Sequence, residues 1–79
     1  MSELGTAVVT GAGQGIGRAV AARLLADGYE VLAVDVNADQ IARTAADLGC
    51  RGAVIDVTND EQVAGLADLA PECTALVNN

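Results

Sequence analysis

A glycine-rich segment, Thr10-Gly11-Ala12-Gly13-Gln14-Gly15-Ile16-Gly17, follows an apolar run and precedes a stretch of helical periodicity. Glycine adopts positive φ at little cost and lets backbone N–H groups come within hydrogen-bonding distance of a ligand. The helix that follows adds unpaired N–H groups and the positive end of its dipole. The segment therefore predicts a strand, a turn and a helix start that together bind a phosphate or pyrophosphate.

A carboxylate, Asp35, stands 18 positions after Gly17, at the end of the next apolar run. In dinucleotide-binding sheets an acidic residue about 20 positions beyond the glycine turn accepts hydrogen bonds from the adenosine ribose. A carboxylate there would repel a 2′-phosphate, and neither Val36 nor Asn37 is an arginine that would neutralise one. We therefore expect Asp35 to favour NAD over NADP. The alternative is that Asp35 only caps the turn into the next helix.

The spacing of the glycines separates the dinucleotide-binding families. Gly-x-Gly-x-x-Gly/Ala fits poorly, because no start within the turn puts glycine or alanine at its last position. Thr-Gly-x-x-x-Gly-x-Gly fits instead, with Thr10, Gly11, Gly15 and Gly17, and Ile-Gly-Arg-Ala continues it. The segment resembles the amino-terminal motif of the classical short-chain dehydrogenase/reductase family. The extended branch of that family would need glycine where Gln14 stands.

The resemblance implies a set of cofactor-binding residues. Asp56-Val57 is similar to the family's acidic and apolar pair that holds the adenine, although an aspartate there could simply cap a turn beside Thr58. Leu76-Val77-Asn78-Asn79 resembles the start of the family's Asn-Asn-Ala-Gly motif, which lies against the cofactor ribose on the nicotinamide side. With Asp35 included, the residues expected to bind the cofactor are Gly11, Gln14, Gly15, Ile16, Gly17, Asp35, Asp56, Val57 and Asn79. Asn78 follows the same motif, but the resemblance assigns the contact to Asn79 first.

The same resemblance predicts no catalytic residue in this chain. The family uses a serine and a tyrosine and lysine four residues apart, whereas this sequence has no lysine and its only tyrosine, Tyr29, precedes a strand. We therefore expect residues 1–79 to be the amino-terminal, NAD-binding part of a single Rossmann domain. The resemblance implies a longer, homo-oligomeric parent that transfers hydride between NAD and an alcohol or carbonyl substrate.

The order of apolar runs predicts an α/β fold. Strands are expected at about residues 6–10, 30–35, 52–57 and 74–77, separated by three helices. The first helix should bury Ile16, Val20 and Leu24 and end at Gly28, and the second should begin at a capping box of Asn37 and Gln40. A capping box of Thr58 and Glu61 should start the third helix, with an apolar stripe of Val63, Leu66 and Leu69, and Pro71 should end it.

Alternating strands and helices indicate parallel strands joined by right-handed crossovers. We expect a partial doubly wound sheet of four strands in the order 3-2-1-4. Its topological switch point, between the first and fourth strands, would coincide with the glycine turn.

Composition restricts the partners. The net charge is −7, from 4 Lys+Arg against 11 Asp+Glu, which argues against nucleic acid and anionic membranes. Cys50 and Cys73 are far apart and the sequence has no histidine, so we expect no metal site and two reduced thiols. Without a basic, apolar leader or a run of about 20 apolar residues, a cytoplasmic location is expected.

Two alternatives remain open from the sequence. An S-adenosylmethionine-dependent methyltransferase also has a glycine turn after its first strand and an acid after its second, although its turn need not have this spacing. A non-enzymatic module that binds a nucleotide, or pairs with another chain, would keep the turn without the chemistry. Reading the coding sequence past Asn79 for Ala-Gly and a later Tyr-x-x-x-Lys would separate these possibilities.

Overall fold

The computed structural model describes residues 4–69 and 73–77. The chain alternates strands and helices over these residues, as the apolar runs predict. The elements are β1 (Thr6–Thr10), α1 (Gly15–Asp27), β2 (Glu30–Asp35), α2 (Ala38–Leu48), β3 (Arg51–Val54), α3 (Asp60–Leu69) and β4 (Cys73–Val77).

The four strands form one parallel sheet in the order β3-β2-β1-β4, as predicted. In the register of β1 and β2, Thr6 faces Glu30 and Thr10 faces Val34. The hydroxyl of Thr10 also donates to the carbonyl of Val77 at 3.3 Å, which ties the end of β1 to the end of β4. All strands therefore end at the same edge of the sheet, where the glycine turn begins.

Helices cover both faces of the sheet, so its central strands are buried on both sides. On one face Val9 and Ala33 pack with α1 and α2, through side chains that include Ala21 and Ile41. On the other face Val8, Leu32, Val34 and Ile55 form a second cluster, and Leu66 of α3 packs against it. This layering explains why β1 and β2 are continuous apolar runs without polar alternation.

The burial predicted for the first helix is confirmed for two of its three residues. Val20 and Leu24 are partly buried and pack against the core, whereas Ile16 is 74% exposed. The buried residues of α1 are Gly17 and Ala21. Small residues at these positions let the helix lie close against the strands, which is the packing role of the last glycine in dinucleotide-binding turns. The predicted end is confirmed: Gly28 adopts a left-handed conformation with φ 107°.

The third strand is shorter than predicted, because it ends at Val54 and not at Val57. Its neighbour β2 ends at Asp35, which pairs with Val54, and only the N–H of Ile55 still donates to the Asp35 carbonyl, at 3.0 Å. With no strand beyond Asp35 to pair with, the backbone turns at Asp56. Asp56 and Val57 thus follow the strand and do not belong to it.

The predicted capping box of α3 is also wrong. The helix begins at Asp60, and Oδ1 of Asn59 accepts from the N–H of Gln62 at 3.1 Å. Thr58 lies one residue before this cap, and its hydroxyl donates to Oδ1 of Asp56. Of the predicted apolar stripe, Leu66 is packed against the sheet, whereas Val63 and Leu69 are 40% and 46% exposed.

The predicted stop at Pro71 lies outside the described residues, as do Asn78 and Asn79. Within the described ranges, no helix combines the length and apolar character that crossing a membrane requires.

Candidate functional site

The glycine turn joins β1 to α1 with its backbone in conformations that favour glycine. Gly11 and Gly15 have φ of 64° and 59°, in the left-handed region. The N–H of Ala12 donates to the Val34 carbonyl at 3.0 Å, which holds the turn against the end of β2. The turn is therefore fixed to the sheet, and a Cβ built on Gly15 would meet nothing within 4 Å, which leaves space for a ligand there.

The start of α1 has no side-chain cap. Gln14 occupies the N-cap position with φ −161° and ψ 173°, and its side chain makes no capping hydrogen bond. In α2, by contrast, Oδ1 of Asn37 accepts from the Gln40 N–H at 3.0 Å. The first N–H groups of α1, after Gln14, are thus left for a ligand, and a phosphate is the group they favour.

Asp35 joins the end of β2 to the glycine turn. Its Oδ2 accepts from the N–H of Gly13 at 2.8 Å, and its Oδ1 accepts from the N–H of Asn37 at 3.1 Å. The capping function that the sequence left as an alternative is therefore present. Each carboxylate oxygen has a second lone pair, so Asp35 keeps the capacity to accept from a ligand hydroxyl.

Gly13, which sequence reasoning did not assign to the site, is the tightest point of the turn. A Cβ built on it would lie 2.6 Å from Oδ2 of Asp35 and 2.9 Å from Cβ of Gln40. No side chain larger than hydrogen fits there without moving the carboxylate or the helix. The only sequence signal for this was one more glycine inside a turn already rich in glycine.

Thr44 of α2 is a second residue that sequence reasoning missed. Its side chain is fully buried, and its hydroxyl donates to the carbonyls of Ala12 and Gly13 at 3.0 and 3.2 Å. A polar residue beside the apolar stripe of Ile41 was the available signal. The contact attaches the glycine turn to α2 as firmly as Asp35 attaches it to β2.

Asp56 closes a tight turn after β3. Its Oδ1 accepts from the hydroxyl of Thr58 at 2.6 Å and from its N–H at 2.9 Å. These two hydrogen bonds hold the pKa of the Asp56 carboxyl below its ordinary value because they stabilise the charged form, and the bond from the hydroxyl has the larger effect. The N–H of Asp56 donates to Oε1 of Gln62 at 2.7 Å, which links the turn to α3.

A groove of about 240 Å³ lies at the carboxyl ends of the strands. It brings together four of the sequence-predicted residues, namely Gly11, Asp35, Asp56 and Val57. The groove lies over the ends of β1, β2 and β3. Four other predicted residues do not line it: Gln14 is the N-cap of α1, and Gly15, Ile16 and Gly17 form its first turn.

A larger cleft of about 460 Å³ lies at the opposite end of the sheet, where β2 and β3 begin. Glu30 and Arg51 line it together with Cys50, whose burial raises the pKa of its thiol. Within the part of the chain that the structure describes, no helix N-terminus or glycine turn lines this cleft, and a thiol with a raised pKa is a poor nucleophile. The groove at the carboxyl ends is the better candidate site.

The side chain of Arg18, the residue after the last glycine, points to α2 and not to the glycine turn. Its guanidinium pairs with Oδ2 of Asp47 on α2 at 2.7 Å. The sequence predicts this structural role, a contact with a carboxylate of a neighbouring element, in preference to phosphate binding.

The fold and the turn together define a dinucleotide-binding α/β protein of the Rossmann type. Residues 5–79 match the family described as short chain dehydrogenase, and the chain belongs to that family. This membership also removes the methyltransferase alternative.

Individual relatives share this part of the sequence. A short-chain dehydrogenase/reductase of Hericium erinaceus, eriH, is 43% identical over 75 residues, which cover 95% of this chain and 21% of the relative. The 2-dehydro-3-deoxy-L-rhamnonate dehydrogenase (NAD(+)) of a Sphingomonas strain is 40% identical over 62 residues, 77% of this chain and 25% of the relative. The chain thus spans about a quarter of the length of these proteins.

The crystal structure of a metagenomic short-chain oxidoreductase in complex with NADP superposes with a TM-score of 0.84 at 25% identity. The match covers 96% of this chain and 38% of that protein. The family thus includes proteins whose names or structures point to either dinucleotide.

Proposed function

We propose that this chain binds NAD and that the groove at the carboxyl ends of the strands holds its adenosine half. The uncapped N-terminus of α1 and the glycines at positive φ would take the pyrophosphate, through the N–H groups around Gly15 to Gly17. Asp35 would accept from the ribose hydroxyls. Asp56 and Val57 would hold the adenine, since a carboxylate oxygen of Asp56 not bonded to Thr58 can accept from the exocyclic amine.

The position of Asp35 is the observation that carries the choice of NAD. Its carboxylate lines the groove and is held there by two backbone N–H groups, so it cannot swing away from a ligand. A 2′-phosphate beside it would face a negative charge with no arginine among the groove residues to offset it. Electrostatic repulsion between the Asp35 carboxylate and a 2′-phosphate next to it disfavours NADP.

We further propose that the chain is the amino-terminal, cofactor-binding part of a longer oxidoreductase. Its relatives are dehydrogenases several times longer, and the sequence lacks the lysine on which the family's hydride transfer depends. Hydride transfer between NAD and an alcohol or carbonyl substrate would then use residues outside this chain. Asn79, which lies outside the described residues, would contribute on the nicotinamide side.

Mapping the binding site by NMR tests the proposed function. Titrating the ¹⁵N-labelled chain with NAD should shift the backbone signals of Gly11, Gly13, Gly15 and Val57 more than those of other residues. Shifts confined to the cleft around Cys50 and Arg51, or no saturable shift at all, would contradict it.

A further inference from the structure

The side chains of Gln14 and Gln40 form a hydrogen bond beside the glycine turn. Nε2 of Gln40 donates to Oε1 of Gln14 at 2.9 Å. Gln14 lies at the N-cap of α1, and Gln40 lies in the first turn of α2, so the contact joins the two helices that flank the turn. Neither the capping of α1 nor the core of the sheet requires this hydrogen bond.

Gln40 is held in position from two directions. Its N–H is fixed by Oδ1 of Asn37 at 3.0 Å, and its Cβ lies 2.9 Å from the place a Cβ would occupy on Gly13. The Asn37 N–H, which a full capping box would pair with the Gln40 side chain, donates to Asp35 instead. The amide of Gln40 is thereby released from capping and reaches Gln14.

The contact determines which end of the Gln14 amide is available. An amide has one carbonyl acceptor and an NH₂ group with two donors. Because Oε1 of Gln14 accepts from Gln40, its NH₂ group remains, and this group makes no hydrogen bond within residues 4–69 and 73–77. The residue before Gln14 is bonded directly to the Asp35 carboxylate. The Gln14 side chain thus begins one residue after the N–H group that binds the Asp35 carboxylate.

We propose that Gln40 is a positioning residue that orients the Gln14 amide so that its NH₂ group donates to a ribose or phosphate oxygen of the dinucleotide. This inference rests on the NAD site proposed above. Gln40 itself does not touch the ligand. It acts through Gln14. Because Gln40 donates to Oε1 of Gln14, the NH₂ group of Gln14 is the end that remains for the ribose or phosphate oxygens.

The substitution Gln40→Glu reverses this orientation. A carboxylate can only accept, so Gln14 would turn its NH₂ group to Glu and present Oε1 to the ligand oxygens. Two acceptors would then face each other. Gln40→Ala removes the contact without imposing the wrong orientation, so it should cost less affinity.

The test is a calorimetric titration of NAD into the purified chain and its variants. The dissociation constant should rise about tenfold for Gln40→Glu and about threefold for Gln40→Ala, in the range of one hydrogen bond. Ala42→Glu is the control, because Ala42 is exposed and lies about 200° around the helix from Gln40 while the added charge is the same. It should change the constant by less than about twofold.

Measuring Gln40→Glu again in a chain that carries Gln14→Ala separates the positioning role of Gln40 from a direct effect of the added charge. In a Gln14→Ala chain the effect of Gln40→Glu should shrink to that of Ala42→Glu, because there is no amide left to orient. Equal effects of Gln40→Glu with and without Gln14 would overturn the inference while leaving the NAD site intact. Absence of saturable NAD binding in the unsubstituted chain would overturn the proposed function itself.

Discussion

The N–H of Gly13 donates a 2.8 Å hydrogen bond to Oδ2 of Asp35, so the glycine turn and the acid that ends β2 form one unit. The two features stand apart in the sequence and suggest separate roles, one for the pyrophosphate and one for the ribose. In the structure each positions the other. A change at either residue should therefore affect both stability and dinucleotide binding.

Substituting Gly13→Ala should destabilise the chain, because the new methyl group would lie 2.6 Å from the Asp35 carboxylate and 2.9 Å from Cβ of Gln40. Overpacking of this kind costs about 1–3 kcal/mol of unfolding free energy. Urea denaturation measures it. Gly65→Ala is the control, since a Cβ there meets nothing within 4 Å and alanine favours a helix interior by about 0.5–1 kcal/mol. A Gly13→Ala chain as stable as the unsubstituted one would show that the turn can move away.

Substituting Thr44→Val should cost about 1–3 kcal/mol of unfolding free energy, because the buried carbonyls of Ala12 and Gly13 lose their donor. Valine preserves the volume, so a cavity does not contribute. Thr44→Ser keeps the hydroxyl and loses only a methyl group. If denaturation showed the serine variant to be the less stable of the two, packing and not the hydrogen bond would explain the buried threonine.

Substituting Thr58→Val should raise the pKa of Asp56 toward its ordinary value, because the hydroxyl is the main group that lowers it. A carboxyl whose pKa is depressed in the folded state stabilises the chain above its unfolded pKa, and this contribution is lost as pH falls through the folded pKa. The variant should therefore lose stability mainly at neutral pH, with the difference shrinking in acid. Carboxyl ¹³C titration by NMR measures the pKa directly, and an unchanged value would contradict this cause.

The Arg18–Asp47 ion pair should contribute little. The two side chains are 36% and 60% exposed, and exposed pairs of this kind contribute less than about 1 kcal/mol. A double-mutant cycle with Arg18→Met and Asp47→Asn should give a small coupling energy that falls in high salt, with NAD affinity preserved. A loss of NAD affinity in Arg18→Met alone would instead give Arg18 a place on the phosphates.

Elements determined by local patterns could be predicted from the sequence. The strand Glu30–Asp35 and the cap at Asn37 depend on neighbours within a few positions, and the strand order follows from the alternation of strands and helices. The end of β3 could not, because β3 stops where its neighbour β2 ends. Ile55 belongs to the apolar run but lies beyond that limit.

The candidate site was predictable in part for the same reason. The offset from the glycine turn pointed to Asp35, and the family resemblance added Gly11 and Asp56; the structure places all three at one groove. Gly13, Gln40 and Thr44 were not identified, because their roles arise where α2 packs against the turn. That contact spans about 30 positions of sequence, and no short-range pattern records it.

The proposed preference for NAD rests on the Asp35 carboxylate, so removing its charge should change the ratio of the NADP to the NAD dissociation constant. Asp35→Asn removes the charge but keeps an amide oxygen that can accept from Gly13, and Asp39→Asn, an exposed acid of α2, is the control. Calorimetry should show tighter binding of NAD by the unsubstituted chain and by the control. In Asp35→Asn the ratio should fall about tenfold, equivalent to about 1.4 kcal/mol. A ratio that stays the same in Asp35→Asn would contradict the claim.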